Sequence, residues 1–231
     1  MDAESQVTRR HLIEAGGCVF ALRGYRAATV REICDKAGAN GASINYHFGS
    51  KEELYLEVLR QSFQDAVTHY PVDSGLGAEV RPEERLKVFI SGFLRRLLSD
   101  ERQSQHGRLM AWEMIDPTEA LVSVVDQWIR PNAEVLRGIV RDLAGRDLGE
   151  ETLSRCAMSI VSQVLFYHHC APVVRLLYPG MLPGMGDLER VAEHIARFSV
   201  SAVRGFASTD WAAEPGGEAS MSMSESEVHL L

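Results

Sequence analysis

Apolar residues recur three or four positions apart through nearly the whole chain. No stretch shows the alternation of period two that a half-buried strand requires, so the pattern predicts an all-α fold. The first predicted helix covers about 8–23, with Leu12, Ile13, Val19 and Phe20 on its buried side, Cys18 beside them, and Gly24 as its stop. Thr29-Val-Arg-Glu32 has the spacing of a capping box, in which the Thr hydroxyl and the Glu carboxylate each satisfy an otherwise orphaned amide. The short helix it opens ends near Ala37-Gly38, where Gly38 supplies the positive φ of a tight turn. A third short helix follows over about 41–47, and a second capping box, Ser50-Lys-Glu-Glu53, starts a long helix to about 68.

A loop over 71–81, carrying Gly75 and Gly77, is the expected domain boundary. Pro82 then stands in a first turn, with Glu83 and Glu84 at the positive end of the helix dipole; that helix runs to about 99 and another covers about 104–115. Asp116-Pro-Thr-Glu119 reads as a helix start with Asp as cap and Pro in first position. The apolar pattern continues from Leu121 to Leu143, with Pro131 expected to kink or break it. Two more helices, about 151–170 and 187–206, close the folded part; Pro172 bends or ends the first, and a Pro/Gly-rich loop over 179–186 separates them. The expected organisation is an N-terminal unit of short helices with a connecting helix over 1–70, a helical body over 71–208, and an acidic, disordered tail over 209–231.

Charge enters here because the net of −8 over 231 residues argues at first sight against a polyanionic partner. Its distribution changes the picture: residues 209–231 hold no Lys or Arg and five acids, Asp210, Glu214, Glu218, Glu225 and Glu227. Over 1–70, eight Lys and Arg stand against nine Asp and Glu, so that unit is near neutral. Cys18, Cys34, Cys156 and Cys170 form no CxxC pair and fit no zinc or disulfide framework. The start of the chain has no apolar leader, and no apolar run reaches the ~18–20 residues that span a bilayer. The expectation is a cytoplasmic protein with no membrane partner, no metal and no cofactor. His168 and His169 are adjacent on a helix and point about 100° apart, which favours a core or interface role over a metal pincer. No nucleophile–base–orienter set supports an enzyme.

Two short helices about a Gly turn suggest a helix-turn-helix, in which the second helix lies in the major groove. Its exposed face would carry Asn40, Gly41, Ser43, Asn45 and His47, with Ile44 and Phe48 turned inward. Small polar side chains suit base edges, and Asn can bond adenine at two positions. Thr29, Arg31, Tyr46, His47 and Lys51 are placed to hold phosphates. These residues carry a resemblance. Phe20, Gly24-Tyr25, the run from Ala27 through Ile44-Asn-Tyr-His-Phe-Gly49, and Ser50-Lys-Glu-Glu-Leu54 resemble the DNA-binding signature of the TetR family of transcriptional repressors. The run Arg108-Leu-Met-Ala-Trp-Glu-Met-Ile-Asp-Pro-Thr118, with Trp128-Ile-Arg-Pro131 and Ser162-Gln-Val-Leu-Phe-Tyr167, resembles the CerR-like C-terminal regulatory domain, a branch of such regulators. The resemblance implies base reading by Asn40, Gly41, Ala42 and Ser43, and phosphate contact from Thr29, Arg31, Tyr46, His47 and Lys51. Asn45 stands where the wider family often has Tyr, which leaves open whether it meets phosphate, base or its neighbours.

His106, Met110, Trp112, Met114, Trp128 and Phe166 are candidates for an apolar ligand pocket with a few polar groups; plain core packing is the competing reading. The resemblance also implies a homodimer through the last two predicted helices, which presents two recognition helices to a palindromic operator. The function expected is therefore a ligand-responsive repressor of double-stranded DNA with an unidentified small-molecule effector. A DNA-binding activator, or a non-catalytic small-molecule-binding protein, is the alternative.

Overall fold

The computed structural model describes residues 3–73, 76–77, 79–98, 101–180 and 187–208. The expected acidic tail, 209–231, lies outside the described residues, as does most of the expected loop over 179–186. The N-terminal unit, expected to read DNA, is built from α1 (Ala3–Ala27), α2 (Val30–Ala37), α3 (Ser43–Phe48) and α4 (Lys51–His69). Thr29 and Ser50 cap their helices, each side-chain oxygen accepting the amide of the Glu three residues on, at 3.2 and 3.1 Å. The first box is only half closed: the Glu32 carboxylate takes the Arg23 Nε–H at 2.6 Å and so ties α1 to α2.

Gly24 does not end α1 outright. It interrupts the helix with φ 74° and ψ 170°, and one more turn follows to Ala27. Two constraints demand glycine there. The backbone lies in a region closed to most L-residues, and a Cβ would stand 2.9 Å from the Trp112 ring.

The body comprises α5 (Pro82–Leu98), α6 (Glu101–Ile115), α7 (Ala120–Val124), a π-helical turn over Val125–Ile129, α8 (Arg130–Ala144), α9 (Glu150–His169), α10 (Ala171–Leu177) and α11 (Leu188–Ser208). Asp116 does not cap a helix, as its spacing suggested. Residues 116–119 form a turn in which Asp116 pairs with Arg26 at 2.7 Å, and α7 begins only at Ala120. Pro131 does not break the helix either. The widened π turn precedes it, so the hydrogen bond that Pro cannot make is lost where the ladder is already shifted. The Asn132 side-chain amide closes the Trp128 carbonyl at 2.7 Å. Pro172 does bend the chain, by 76° between α9 and α10, and no single helix among the described residues is long and apolar enough to cross a membrane.

Two apolar cores result. One joins α5, α8, α9 and α11 around Leu86, Ile90, Leu136, Ile160 and Ile195. The other fills the DNA-reading unit around Leu12, Phe20, Ile33, Ile44 and Leu54, and it recruits Leu109, Ala120 and Val124 from the body. The expected boundary loop is pinned where it begins. Val72 is buried, a Cβ at Gly92 would meet the Pro71 carbonyl oxygen at 2.7 Å, and buried Arg96 donates to the Tyr70 carbonyl at 2.7 Å.

Gly24→Ala should therefore destabilise the chain by about 2 kcal/mol or more in urea unfolding, from strain at positive φ together with the clash against Trp112. Gly138→Ala, in mid-helix where a Cβ meets nothing within 4 Å, should stabilise by about 0.5–1 kcal/mol.

Candidate nucleic-acid interface

The face expected to meet DNA is formed by α3 and the turn before it. Ile44 is fully buried beneath the helix, and this fixes the opposite side outward: Asn45 and Tyr46 are exposed, Tyr46 to 77%, while Ser43 and His47 are half-buried. Asn40, Gly41 and Ala42 are exposed in the turn, and α3 starts two residues later than the spacing suggests. The cause is local. The Asn40 side-chain oxygen accepts the Ala42 amide at 2.7 Å and its carbonyl accepts the Ser43 amide at 2.9 Å, a side-chain turn that competes with helix. Asn40 thus shapes the turn, while its NH2 has no partner among the described residues. His47 stands edge-on to Tyr46 at 4.8 Å, and its buried Nδ1 has no hydrogen-bond partner among the described residues.

Of the expected phosphate ligands, Thr29 and Arg31 are exposed at the start of α2. Arg31 has a loose 3.8 Å contact with Asp35, its side chain 91% exposed. Lys51 is also engaged within the unit. Its ammonium donates to the Tyr25 and Ala28 carbonyls at 2.9 and 3.0 Å and lies 4.4 Å from the centre of the Tyr25 ring. Burial lowers its pKa from the ordinary lysine value. Lys51 therefore fastens the start of α4 to the α1–α2 junction with two of its three N–H groups.

The side of the unit away from α3 is tied to α6. The Trp112 indole donates to the Ala21 carbonyl at 3.2 Å, and the Tyr55 hydroxyl donates to Glu113 Oε1 at 2.6 Å. Tyr55 and Glu113 are both 1% exposed. Sequence patterning missed this pair. A Glu inside an apolar run was the available signal, but nothing in the spacing says which donor it meets.

The six candidate pocket residues separate. His106 is buried with its Nδ1 3.0 Å from the Ser62 hydroxyl and its ring edge-on to Phe63 at 4.5 Å; Trp128 stacks on Phe63 at 6.0 Å. Met110 is partly buried against the same core. Trp112 faces α1 instead, and Met114 and Phe166 are 54% and 51% exposed. A groove of about 650 Å³ lies elsewhere, between α9 and α11, lined by Cys156, Ile160, Gln163, Phe198, Val203 and Phe206 among others. None of the six lines it. Burial, with Arg96 and His168 nearby, pulls His106 down to about 4.

Comparison with known proteins agrees with this geometry. Residues 12–58 match the family of bacterial regulatory proteins of the tetR type, and residues 82–203 match the C-terminal domain of the HTH-type transcriptional dual regulator CecR. The chain belongs to the TetR family and carries the CecR-type C-terminal domain. The branch is thus CecR, not CerR. The chain is 34% identical over 143 residues to the HTH-type transcriptional activator FasR of Mycolicibacterium smegmatis, a match over 62% of this chain and 61% of FasR, less than two thirds of that relative's length. It is 26% identical over 178 residues to the dual regulator CecR of Shigella flexneri, over 72% of this chain and 78% of CecR. A putative TetR-family regulator from Mesorhizobium loti shares the fold at a TM-score of 0.60 and 20% identity, over 87% of this chain and 98% of its own.

The depressed His106 predicts acid sensitivity with a definite sign. A group whose folded pKa lies below its unfolded value stabilises fully above about 6.5 and loses that contribution as pH falls toward about 4. Urea unfolding across that range should show the fall, and His106→Phe should shrink it.

Proposed function

We propose that the chain is a homodimeric, ligand-responsive transcriptional regulator that binds a palindromic operator, most simply as a repressor. The observation that carries the reading is the outer face of α3, where Ser43, Asn45 and Tyr46 stand over a fully buried Ile44 on a helix clamped at both flanking starts. Asn40, Gly41, Ala42 and Ser43 approach base edges, Thr29, Arg31, Tyr46 and His47 hold phosphates, and the remaining N–H of Lys51 is available for one more. Asn45, exposed at mid-helix, reaches the same groove.

Dimerisation has its own support. Phe198 and Phe206 on α11 are 61% and 45% exposed along the groove between α9 and α11, and Met158 on α9 is 60% exposed. An isologous contact between two such faces buries them and sets the separation of the two recognition helices. The effector is an unidentified small molecule that favours one spacing of the heads over another. Coupling of ~1–3 kcal/mol gives a 5–150-fold change in affinity. Activation in place of repression depends on where the operator lies relative to the promoter, and the same DNA contacts serve both.

Selection from random DNA should recover a two-fold sequence, and recovery of no enriched site would overturn the reading. Ser43→Ala and Asn45→Ala should relax base preference, whereas Arg31→Ala should weaken all sequences alike and lower the salt slope by about one. Phe198→Glu should convert the protein to a monomer in sedimentation and abolish preference for a palindrome over its half-site.

A further inference from the structure

The DNA-reading unit meets the body across a side chain in an unusual setting. Glu113, on the last turn of α6, is 1% exposed, and among the described residues no Lys or Arg pairs with it. It is instead surrounded by donors. The Tyr55 hydroxyl reaches Oε1 at 2.6 Å, the Thr118 amide reaches Oε2 at 3.1 Å, and the Thr118 hydroxyl reaches Oε1 at 3.0 Å. Thr118 is itself fixed, because its hydroxyl oxygen accepts the Ala120 amide at 3.2 Å at the start of α7. A polar group buried this deeply is tolerated when its hydrogen bonds are made, and leaving one donor or acceptor unmatched is costly.

The donors come from both sides of the junction. Thr118 belongs to the turn between α6 and α7, Tyr55 to α4. Burial and the Glu113 contact raise the Tyr55 phenol above its ordinary value, which keeps it a donor. The Tyr55 ring packs edge-on to Phe20 at 4.8 Å and against Tyr25 at 4.9 Å. Tyr25 in turn carries Lys51, whose ammonium holds the carbonyls of Tyr25 and Ala28 just before the cap of α2. Touching groups thus run without a gap from Glu113 in the body to the first turn of the helix-turn-helix.

We propose that Glu113 is a positioning residue for DNA binding: its carboxylate, gripped by Tyr55 and Thr118, sets the angle at which the helix-turn-helix sits on the body. Apolar burial holds two units together but does not by itself specify the angle between them, because it is not directional. A short buried hydrogen bond is directional, and its loss releases that angle. The inference rests on the DNA-binding reading above. In a dimer, a small change of angle at each junction becomes a change in the spacing of two recognition helices. Glu113 touches no DNA, so its effect falls on binding that needs both heads at once.

The test compares a full palindrome, recovered by selection, with a half-site duplex of equal length. Wild type, Tyr55→Phe, Glu113→Gln and the double variant are titrated on both. Tyr55→Phe removes one donor, and Glu113→Gln sets an NH2 against groups that are themselves donors. The expected result is about a tenfold loss of affinity for the palindrome with less than a twofold change on the half-site, at an unchanged salt slope. The double variant should lose no more than the weaker single one, as expected when both substitutions break one bond. Equal losses on both duplexes, an unchanged palindrome affinity, or additive losses would overturn the proposal, since a role in stability alone lowers binding to both. If Glu113→Gln shows no cooperative thermal unfolding, Tyr55→Phe decides by itself, because it removes a single oxygen. A wild type that prefers the palindrome while its variants keep that preference refutes this inference alone. A wild type without such a preference refutes the DNA-binding reading along with it.

Discussion

Leu109, Ala120 and Val124 belong to the body by position in the chain, yet they close the core of the DNA-reading unit, at 0%, 3% and 4% exposure. This sharing of one apolar core across the junction is the constraint on which the remaining architecture depends. The helix-turn-helix cannot be buried on its own side without α6 and α7. A displacement of α6 therefore carries α1 and α4 with it, because a close-packed interior repacks in discrete steps and does not deform freely. The polar contacts add direction to that attachment. Trp112 reaches the Ala21 carbonyl, Arg26 meets Asp116, and Glu113 takes the Tyr55 hydroxyl. Glycine at position 24 is the complement of the Trp112 ring, since any side chain there would occupy the space the indole fills.

With its rear surface committed to the body, the unit leaves one polar face outward. The exposed residues of α3 are short or amphipathic, and the helix is shaped by Asn40 before it and Gly49 after it. Near-neutral charge over 1–70 means that this unit presents no broad positive field to a polyanion. Arg23 and Arg26 are each engaged by a carboxylate, Glu32 and Asp116. On α11 of the body, Phe198 and Phe206 stay exposed.

Much of this was legible along the chain. The caps at Thr29 and Ser50, the turn at Gly38, the helix from Pro82 and the buried Ile44 all follow from interactions within four residues, and local spacing records those directly. The misplacements share a cause. Asp116 has the local chemistry of a cap, but Arg26, ninety residues away along the chain, takes its carboxylate. Pro131 has the local chemistry of a break, but packing of Trp128 on Phe63 accompanies a π turn that carries the helix through. Lys51 looks like a free cation until the fold brings two carbonyls beneath it.

The sequence by itself determined that the chain is helical, where most helices begin, and which short motif carries the helix-turn-helix signature of its family. Helix starts and amphipathic faces are properties of contiguous residues. Only the tertiary structure decided that His106, Trp112 and Trp128 pack against α1 and α4, that an apolar groove lies between α9 and α11, and that Glu113 finds Tyr55 across 58 residues of chain. Hydrogen bonds and ring contacts between distant segments depend on how helices cross, and a crossing geometry is set by the packing of all of them together, not by the spacing of residues within any one.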